Sequence, residues 1–363
     1  MNDLIVVQNS ILTTYKFRSQ YIKDYICQGG SVYIIAPNDC EESKIKLKEL
    51  GAKLLYVPSK VGVVGRIISS LSMNYCLLKL RFKLQQPVVI CHFIVTFLMT
   101  LLPLLFLYKN VLVYIEGLGS IFLKEGLLVK FLRFLLKKKN IVRLFCNKDE
   151  KRILGFNNDI VTGGIGVDVT KFQPKAKVSN DALNIIYVGR LISDKGVLDA
   201  IEILRQLKIK GSTLTLVGDI YPSNPSSLTQ SEIIDIKNEL GDRIQFEGYV
   251  SDPLPFYRKA DVLLLPSKRE GFPVCVMEAN AMGIPAVVYD VPGCRDAVFS
   301  HVNGIVVEYG DIKGAVEAIK TLYNSGDMVE ISKSCRNFAI KNFDSREKNN
   351  RLIKEINELA VQH

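Results

Sequence analysis

The sequence lacks most of the features that mark metal, redox and fibrous proteins. It contains no tryptophan and only three histidines, and its eight cysteines form no Cys-x-x-Cys pair of the kind that seeds zinc or redox sites. It also has no Asp-x-Asp pair that would favour a bound divalent cation, and no short repeat or low-complexity stretch. We therefore expect reduced thiols, most of them in the core of a globular protein, and no metal or cofactor.

A secretory signal and a membrane-spanning helix are not expected either. The opening MNDLIVVQNSILTT has an acid and no basic residue before its short apolar stretch, which favours the cytoplasm. The residues from Val88 to Leu107 form a nearly uncharged run of twenty. Pro87 precedes a β-rich stretch in this run and Pro103 interrupts any continuous helix, so a buried strand followed by a buried helix is predicted instead.

Negative charge is scarce, since the formal net charge is +10. Such a surplus indicates a polyanionic neighbour, but no aromatic-basic strand motif or recognition helix supports nucleic acid. Lys130, Arg133 and Lys137 share one side of a predicted helix, which suits the surface of an anionic membrane. A helix packed in its domain with a solvated edge is the alternative. The other side carries apolar residues, namely Leu128, Phe131, Leu132, Leu135 and Leu136.

What is present is a repeated alternation of strand-like and helix-like segments, which predicts an α/β protein with parallel sheets. We expect a first Rossmann-like domain over residues 1–170, a linker over 171–183 and a second Rossmann-like domain over 184–344. A terminal helix over 345–363 is expected to pack back on the first domain. Two doubly wound domains facing each other across a cleft would place the active site there.

The densest chemical signal begins at Glu270, in the sequence REGFPVCVMEA. Gly271 permits close backbone approach, and Pro273 suits the start of the helix that follows. Free amides at that helix start can hold a diphosphate. Glu278 lies about one turn inside, where a carboxylate could bind a ribose diol.

A second signal is the sequence GRLISDKG, which follows the first strand of the second domain. Arg190 and Lys195 would converge on the charge that builds up on a leaving diphosphate. Each cation taken singly is better explained as a solvated loop charge. Together with the two glutamates they favour a binding site.

These segments resemble the second domain of the family-4 retaining glycosyltransferases, which have the GT-B fold. The resemblance covers roughly residues 184–320 through YVGRLISDKG, LVGD, FEGYVSD, REGFPVCVMEANAMGIPAVVYDVPGCRDAV and NGIVVE. The family signature of two glutamates separated by seven residues is matched by Glu270 and Glu278. The linker GIGVDVTKF and the N-terminal half resemble the family more loosely.

The resemblance implies a role for each matching residue. Arg190 and Lys195 would bind the donor diphosphate, Glu278 the ribose, and Glu270 the donor sugar, with Arg190, Lys195 and Glu270 contributing to catalysis. The base would lie against main chain near Tyr249 and Val250, and Gly189 would line the same cleft. The donor sugar and phosphates would also contact main chain at Gly271, Phe272, Pro273 and Val274. The family transfers sugars with retention of anomeric configuration and, in this reading, without a metal.

The N-terminal half departs from the family in two places. NSILTTYKFR stands where relatives carry a Gly-Gly loop, and Glu116 stands where histidine is common. We hypothesise that Glu116 orients the acceptor or donor sugar, and the alternative is a loop residue with no ligand role. Arg18 and His92 are further acceptor-side candidates, although His92 could equally be a satisfied loop histidine.

The leading functional hypothesis is transfer of a hexose or N-acetylhexosamine from a UDP-sugar to a lipid-linked saccharide. The resemblance places such an enzyme in O-antigen or capsule assembly, peripheral on the inner face of the cytoplasmic membrane. A sugar-nucleotide epimerase of the same architecture and a non-catalytic sugar-nucleotide-binding scaffold are the rivals. The sequence does not specify the donor sugar, the base, the acceptor sugar, the linkage or the oligomeric state.

Overall fold

The protein is described by a computed structural model over residues 2–59, 62–119, 126–174, 182–325 and 327–361. It divides into two compact units. The first comprises Met1–Ile165 together with Arg346–His363, and the second comprises Gly166–Ser345. Residues 166–170, which the sequence analysis assigned to the first domain, thus belong to the second unit, and most of the predicted linker lies outside the described residues.

The first unit is built on a parallel sheet of seven strands within the described residues, in the order β3-β2-β1-β4-β5-β6-β7. The order reverses between β1 and β4, where a doubly wound sheet opens to a ligand. The strands are β1 Leu4–Val7, β2 Val32–Pro37, β3 Lys53–Val57, β4 Val88–His92, β5 Asn110–Ile115, β6 Ile141–Phe145 and β7 Ile160–Val161.

Helices connect these strands. They are α1 Ile11–Cys27, α2 Glu41–Glu49, α3 Gly62–Lys83, α4 Ile94–Met99, α5 Leu101–Phe106, α6 Leu127–Leu136 and α7 Lys148–Leu154, with α15 Ser345–Val361 closing the chain. The segment NSILTTYKFR, which stands where relatives carry a Gly-Gly loop, is largely helical here, because α1 starts at Ile11. The hydroxyl of Ser10 accepts a hydrogen bond from the Thr13 amide and caps the helix.

The apolar run from Val88 forms a strand and then two short helices, α4 and α5, separated at Thr100. The prediction of a strand followed by helix is confirmed, but the helices are not fully buried, since Leu102 and Phe106 are exposed. In the part of the chain that the structure describes, no helix is both long enough and apolar enough to cross a bilayer.

The second unit holds a parallel sheet of six described strands in the order β10-β9-β8-β11-β12-β13. Its strands are β8 Asn184–Val188, β9 Thr213–Val217, β10 Ile244–Gly248, β11 Val262–Leu265, β12 Ala286–Tyr289 and β13 Gly304–Val307. Its helices are α8 Val197–Gln206, α9 Gln230–Leu240, α10 Leu254–Tyr257, α11 Val274–Ala281, α12 Cys294–Ala297, α13 Ile312–Asn324 and α14 Met328–Phe343. The predicted pair of Rossmann-like α/β units is confirmed.

Helix α6 differs from its sequence interpretation. Its buried residues include Val129 and Leu132, but Phe131 is 52% exposed and shares the outward side with Lys130. Arg133 does not join them, because it is half-buried, donates to the Ile153 carbonyl and lies over the Phe156 ring. A period of 3.6 defines two faces, but both faces of this helix carry apolar residues, so the pattern alone does not say which face is inside.

Candidate functional site

The donor-site candidates lie at the carboxyl edge of the second sheet. Arg190 and Lys195 follow β8, and Glu270 follows β11, the strand paired with β8. The strand order reverses between these two strands, since β9 lies on the far side of β8 and β12 on the far side of β11. Ligands of open α/β sheets bind at such a reversal, so the topology gathers residues that are 75 positions apart in the chain.

Lys195 and Glu270 form a half-buried ion pair. The ammonium Nζ of Lys195 donates to Oε2 of Glu270 at 2.6 Å, and the two side chains are 22% and 12% exposed. The other carboxylate oxygen accepts from the buried Ser267 hydroxyl at 2.9 Å. Glu270 therefore has a fixed orientation, and the loops after β8 and β11 are tied together at the end of the sheet.

Helix α11 begins immediately after Pro273. The amides of its first two residues have no helical carbonyl ahead of them, while the Val276 amide donates to the Pro273 carbonyl at 3.2 Å. Glu278 is the fifth residue of this helix. Its Oε2 accepts a hydrogen bond of 2.9 Å from the hydroxyl of Tyr257, which is fully buried. Tyr257 thus positions the second glutamate of the signature, one turn inside a helix start that suits a diphosphate.

Arg190 is exposed and lies over the Tyr221 ring at 5.3 Å. Its main-chain oxygen accepts a hydrogen bond of 2.8 Å from the buried Tyr187 hydroxyl. Burial raises the pKa of Tyr187 well above its ordinary value, Glu270 adds to the rise and Arg190 opposes it. Both charges therefore act on one hydroxyl beneath the site.

A second buried group links the remaining residues. Burial raises the pKa of the Cys275 thiol, the carboxylates of Glu270 and Glu278 raise it further, and Lys195 opposes them. Cys275 is the second residue of α11, so the two glutamates and the lysine surround the start of that helix. The structure thus brings the four side chains of the two sequence signals to one edge of the second unit.

The other predicted contacts are placed around this edge. Tyr249 and Val250 follow the end of β10, where Tyr249 is 65% exposed. Gly189 pairs with the end of β9 through its amide, which donates to the Val217 carbonyl. Phe272 packs edge-on against Phe343 at 5.8 Å, so its side chain contacts α14. The roles in base and phosphate binding assigned to these positions stay predictions.

A substitution at Gly196 tests whether the backbone conformation of the loop after β8 positions Lys195. Gly196 has a φ of +73°, and a Cβ atom there would overlap the Pro266 carbonyl oxygen. Gly211 has almost the same φ, +74°, but its nearest neighbour would be the Ala182 Cβ at 3.4 Å. We expect Gly211→Ala to cost about 1–2 kcal/mol of stability from its left-handed backbone alone.

For Gly196→Ala we expect a larger loss of stability and, because the loop carrying Lys195 must shift, a fall of about tenfold in kcat/KM. Thermal unfolding and initial rates of the two variants check this, with Gly211→Ala as the matched control. Equal effects of the two substitutions on rate would show that the backbone at Gly196 does not position Lys195.

The first unit has a separate buried cluster. Arg18 on α1, His92 at the end of β4 and Glu116 after β5 are 3%, 0% and 9% exposed. The guanidinium of Arg18 donates to Oε2 of Glu116, and Oε1 accepts from Nδ1 of His92 at 2.7 Å. Glu116 therefore contacts both of the other acceptor-side candidates, and both of its carboxylate oxygens already accept a hydrogen bond.

The protonation states of this cluster follow from its partners. Burial alone would raise the pKa of Glu116, but Arg18 and His92 outweigh it and hold the pKa below its usual range. A carboxylate only accepts, so Nδ1 of His92 carries the proton and Nε2 accepts from the Tyr21 hydroxyl at 3.0 Å. Burial and then the Arg18 charge lower the pKa of His92 to about 4. His92 is neutral at neutral pH.

This neutral histidine predicts a pH dependence of stability. The unfolded chain protonates His92 below about pH 6.5, whereas the folded chain does so only near pH 4. The contribution is complete above pH 6.5 and is lost as the pH falls to 4, by about 3 kcal/mol in the free energy of unfolding. Denaturant titrations at pH 7 and pH 4.5 should show a smaller fall for His92→Gln than for the parent. An equal fall in both proteins would refute the neutral assignment.

Sequence reasoning missed the side chains that hold these groups in place. Tyr257 and Ser267 orient the two glutamates of the second unit. In the first unit Glu150 accepts from the Leu118 amide at 3.0 Å and anchors the loop after Glu116, while Tyr21 binds His92. Only Ser267 carried a signal, since it stands at the end of a strand three residues before Glu270.

Two parallel-sheet Rossmann-like units, each with polar loops at the carboxyl ends of its strands, are the components of the GT-B architecture of glycosyltransferases. The chain matches the structure of sucrose-phosphate synthase from Thermosynechococcus elongatus with a TM-score of 0.80 over 100% of both chains, at 16% identity. At that identity the likeness concerns the fold. Residues 168–342 match the family described as glycosyl transferases group 1. The match lies within the second unit, and the resemblance drawn from the motifs is confirmed there.

Two relatives illustrate the similarity. The capsular polysaccharide biosynthesis glycosyltransferase CapM of Staphylococcus aureus is 31% identical over 54% of this chain and 52% of its own. The N,N'-diacetylbacillosaminyl-diphospho-undecaprenol α-1,3-N-acetylgalactosaminyltransferase of Campylobacter jejuni is 28% identical over 85% of this chain and 86% of its own. The match therefore spans about half the length of the first relative and most of the second.

Proposed function

We propose that this glycosyltransferase moves a hexose or N-acetylhexosamine from a nucleoside diphosphate donor, a UDP-sugar, to a saccharide on a polyprenyl diphosphate carrier. The observation that carries the proposal is the Lys195–Glu270 ion pair beside the start of α11, with Glu278 one turn inside that helix. It supplies a cation for the diphosphate and carboxylates for sugar and ribose hydroxyls. The names of the two relatives support cell-surface polysaccharide assembly and a lipid-linked acceptor.

The chemical step needs a leaving diphosphate and an acceptor hydroxyl. The acceptor oxygen forms a new bond to the anomeric carbon while the bond from that carbon to the phosphate oxygen breaks. The departing electron pair leaves on the phosphate, which also takes the acceptor proton on the same face and so retains the configuration. Arg190 and Lys195 stabilise the developing negative charge, and preorganised charges of this kind lower a barrier strongly. We propose that they do so without a metal.

The pairing of Lys195 with Glu270 has a purpose in this scheme. An isolated carboxylate next to a diphosphate would repel it. Because Lys195 pairs with Glu270 in the free protein, the carboxylate is held in place to accept hydrogen bonds from the donor sugar. The incoming phosphate then becomes a second anionic partner of the ammonium, and Ser267 keeps the carboxylate oriented.

We assign the acceptor side to the first unit. Glu116 is the candidate that orients a sugar hydroxyl, with Arg18 and His92 holding its carboxylate. The enzyme would work from the inner surface of the cytoplasmic membrane, where a lipid-linked acceptor is found. The membrane contact predicted from the sequence consists of Lys130, Arg133 and Lys137 on α6. Lys130 and Lys137 are exposed, while Arg133 packs against Phe156.

The test is a panel of nucleotide sugars with a short-chain polyprenyl-diphosphate-linked sugar, following nucleotide release and product mass. We expect product only when donor and acceptor are both present, an unchanged rate in EDTA, and an anomeric configuration equal to that of the donor. Conversion of the donor without acceptor would instead identify an epimerase. Donor binding without any conversion would identify a scaffold.

A further inference from the structure

The outer surface of the helices that cover one face of the first sheet is unusually apolar. The described residues expose 27 large apolar side chains, and fourteen of these lie between residues 62 and 139. On α5 and α6 they include Leu102, Phe106, Leu127, Phe131 and Phe134, with Leu127 86% and Phe134 72% exposed. Scattered apolar residues on a surface are normal, but more than half of them in about a fifth of the chain is a concentration that marks an interaction site.

Helix α3 shows the same property in a regular form. Its buried side carries Met73, Leu77 and Leu80. Its opposite side carries a second apolar stripe, which consists of Val64, Ile67, Leu71, Tyr75, Leu78 and Phe82, all of them exposed. A helix that is apolar on both sides is normally covered on both sides. The sheet covers only one.

The three helices lie side by side. The amide of Asn74 on α3 donates to the Met99 carbonyl at the end of α4, and Arg81 donates to the Leu107 carbonyl after α5. The Lys138 ammonium, just past the end of α6, lies 4.1 Å from the centroid of the Phe106 ring. Their inner sides share one hydrophobic core. Their outer sides therefore form one surface, which we call the helical face.

The charge of this region is almost entirely positive. Residues 62–139 contain eleven lysines and arginines and only two glutamates, a surplus of nine out of the chain's net charge of +10. One of the glutamates, Glu116, is buried in its contact with Arg18, and the other lies outside the described residues. Exposed lysines, among them Lys130 and Lys137, border the apolar side chains of the helical face. A partner that is both apolar and anionic fits this composition.

We propose that the helical face lies on an anionic lipid bilayer, with aromatic side chains of α3, α5 and α6 inserted at the boundary between headgroups and acyl chains. Aromatic and aliphatic residues flanked by lysines are the composition of interfacial membrane anchors. The proposal deepens the membrane location given under the proposed function. It differs from the predicted contact in two respects. Apolar side chains inserted from three helices contribute to the affinity for the bilayer, and Arg133 takes no part.

The test measures binding of the full chain to vesicles of phosphatidylglycerol and phosphatidylcholine by flotation, with neither donor nor acceptor present. The apolar variant carries Phe82→Ser, Phe106→Ser and Phe134→Ser. The charge variant carries Lys130→Gln, Lys137→Gln and Lys138→Gln. Matched controls in the second unit are Ile234→Ser, Val329→Ser and Ile340→Ser for the apolar variant, and Lys208→Gln, Lys237→Gln and Lys313→Gln for the charge variant, all at exposed positions.

We expect the charge variant to bind on the order of 100-fold more weakly at 0.1 M salt, since each lysine near an anionic surface contributes about fivefold. We expect the apolar variant to lose at least about tenfold at both 0.1 M and 1 M salt, because insertion is not screened. The controls should bind like the parent, and all variants should keep the parent's circular dichroism and melting temperature. Transfer to a water-soluble acceptor analogue should be unchanged.

Parent-like binding of the apolar variant would overturn the proposal, because the contact would then be electrostatic only. Failure of the parent to bind anionic vesicles would overturn it as well. So would a concentration-dependent dimer that the apolar variant abolishes, since a second copy would then cover the face. None of these results bears on whether the parent transfers sugar. If the parent binds anionic vesicles but transfers no sugar, that result counts against the proposed function and not against the membrane contact.

Discussion

Replacing Lys195 by alanine should lower kcat/KM for sugar transfer by on the order of 10²–10³-fold, the effect of removing one preorganised group that stabilises a developing anion. The ammonium is held at the end of β8 by Glu270 and is therefore in place before the phosphate departs. Steady-state rates with a saturating acceptor measure the effect. Lys268→Ala is the matched control, because Lys268 lies in the adjacent loop, is about half exposed and pairs loosely with Asp194 at 3.6 Å.

A second variant separates catalysis from repulsion. Lys195→Ala leaves Glu270 unpaired, and an unpaired carboxylate could by itself repel the donor. Adding Glu270→Gln removes that charge. We expect no recovery of kcat in the double variant, since the leaving group still lacks its cation. Recovery to near the parent rate, or a loss of less than about threefold in Lys195→Ala itself, would contradict the assignment of Lys195 to the leaving diphosphate.

Replacing Arg18 by alanine should destabilise the first unit by about 3–5 kcal/mol, because it leaves Glu116 as an uncompensated buried charge. The expected fall in the melting temperature of that unit is roughly 6–20 °C. Calorimetry on the full chain measures it. Arg152→Ala is the control, since Arg152 is 78% exposed and pairs with Asp149 at the surface, where such pairs contribute less than about 1 kcal/mol.

A double-mutant cycle tests whether the charge pair itself is responsible. The cycle comprises Arg18→Met, Glu116→Gln and the double variant, which removes both charges and keeps an oxygen that can accept from His92. We expect the double variant to be more stable than Arg18→Met by at least about 1 kcal/mol. The same proteins address function, because full transfer activity of Glu116→Gln would remove Glu116 from the candidate catalytic residues and leave it a purely structural role.

Local patterns were sufficient to predict the architecture and to indicate that the donor-side candidates lie at one edge of the second sheet. Strand-like runs followed by glycine, charged residues and a helix start specify the carboxyl edge of a parallel sheet. Lys195 and Glu270 each stand in the loop that follows such a run. β8 and β11 are neighbours at the strand-order reversal, so the loops that follow them meet. The ion pair between Lys195 and Glu270 forms where these loops meet, as expected for a doubly wound sheet.

The buried cluster of the first unit was not predictable in the same way. Glu116 and Arg18 are 98 positions apart and are held on a strand end and a helix. Each residue read singly looks like a candidate for ligand contact, and only packing shows that Arg18 is 3% exposed. The helix that carries Arg18 starts at Ile11 and is capped by Ser10, a residue type that favours this position.

The measurement that tests the central claim most directly is calorimetric binding of UDP and of uridine to the parent, Arg190→Ala, Lys195→Ala and Glu278→Gln. If these residues share one donor, the parent binds UDP more tightly than uridine, and the two cation variants lose affinity for UDP while keeping that for uridine. Glu278→Gln then weakens both ligands. UDP affinity that is the same in all four proteins would contradict the claim.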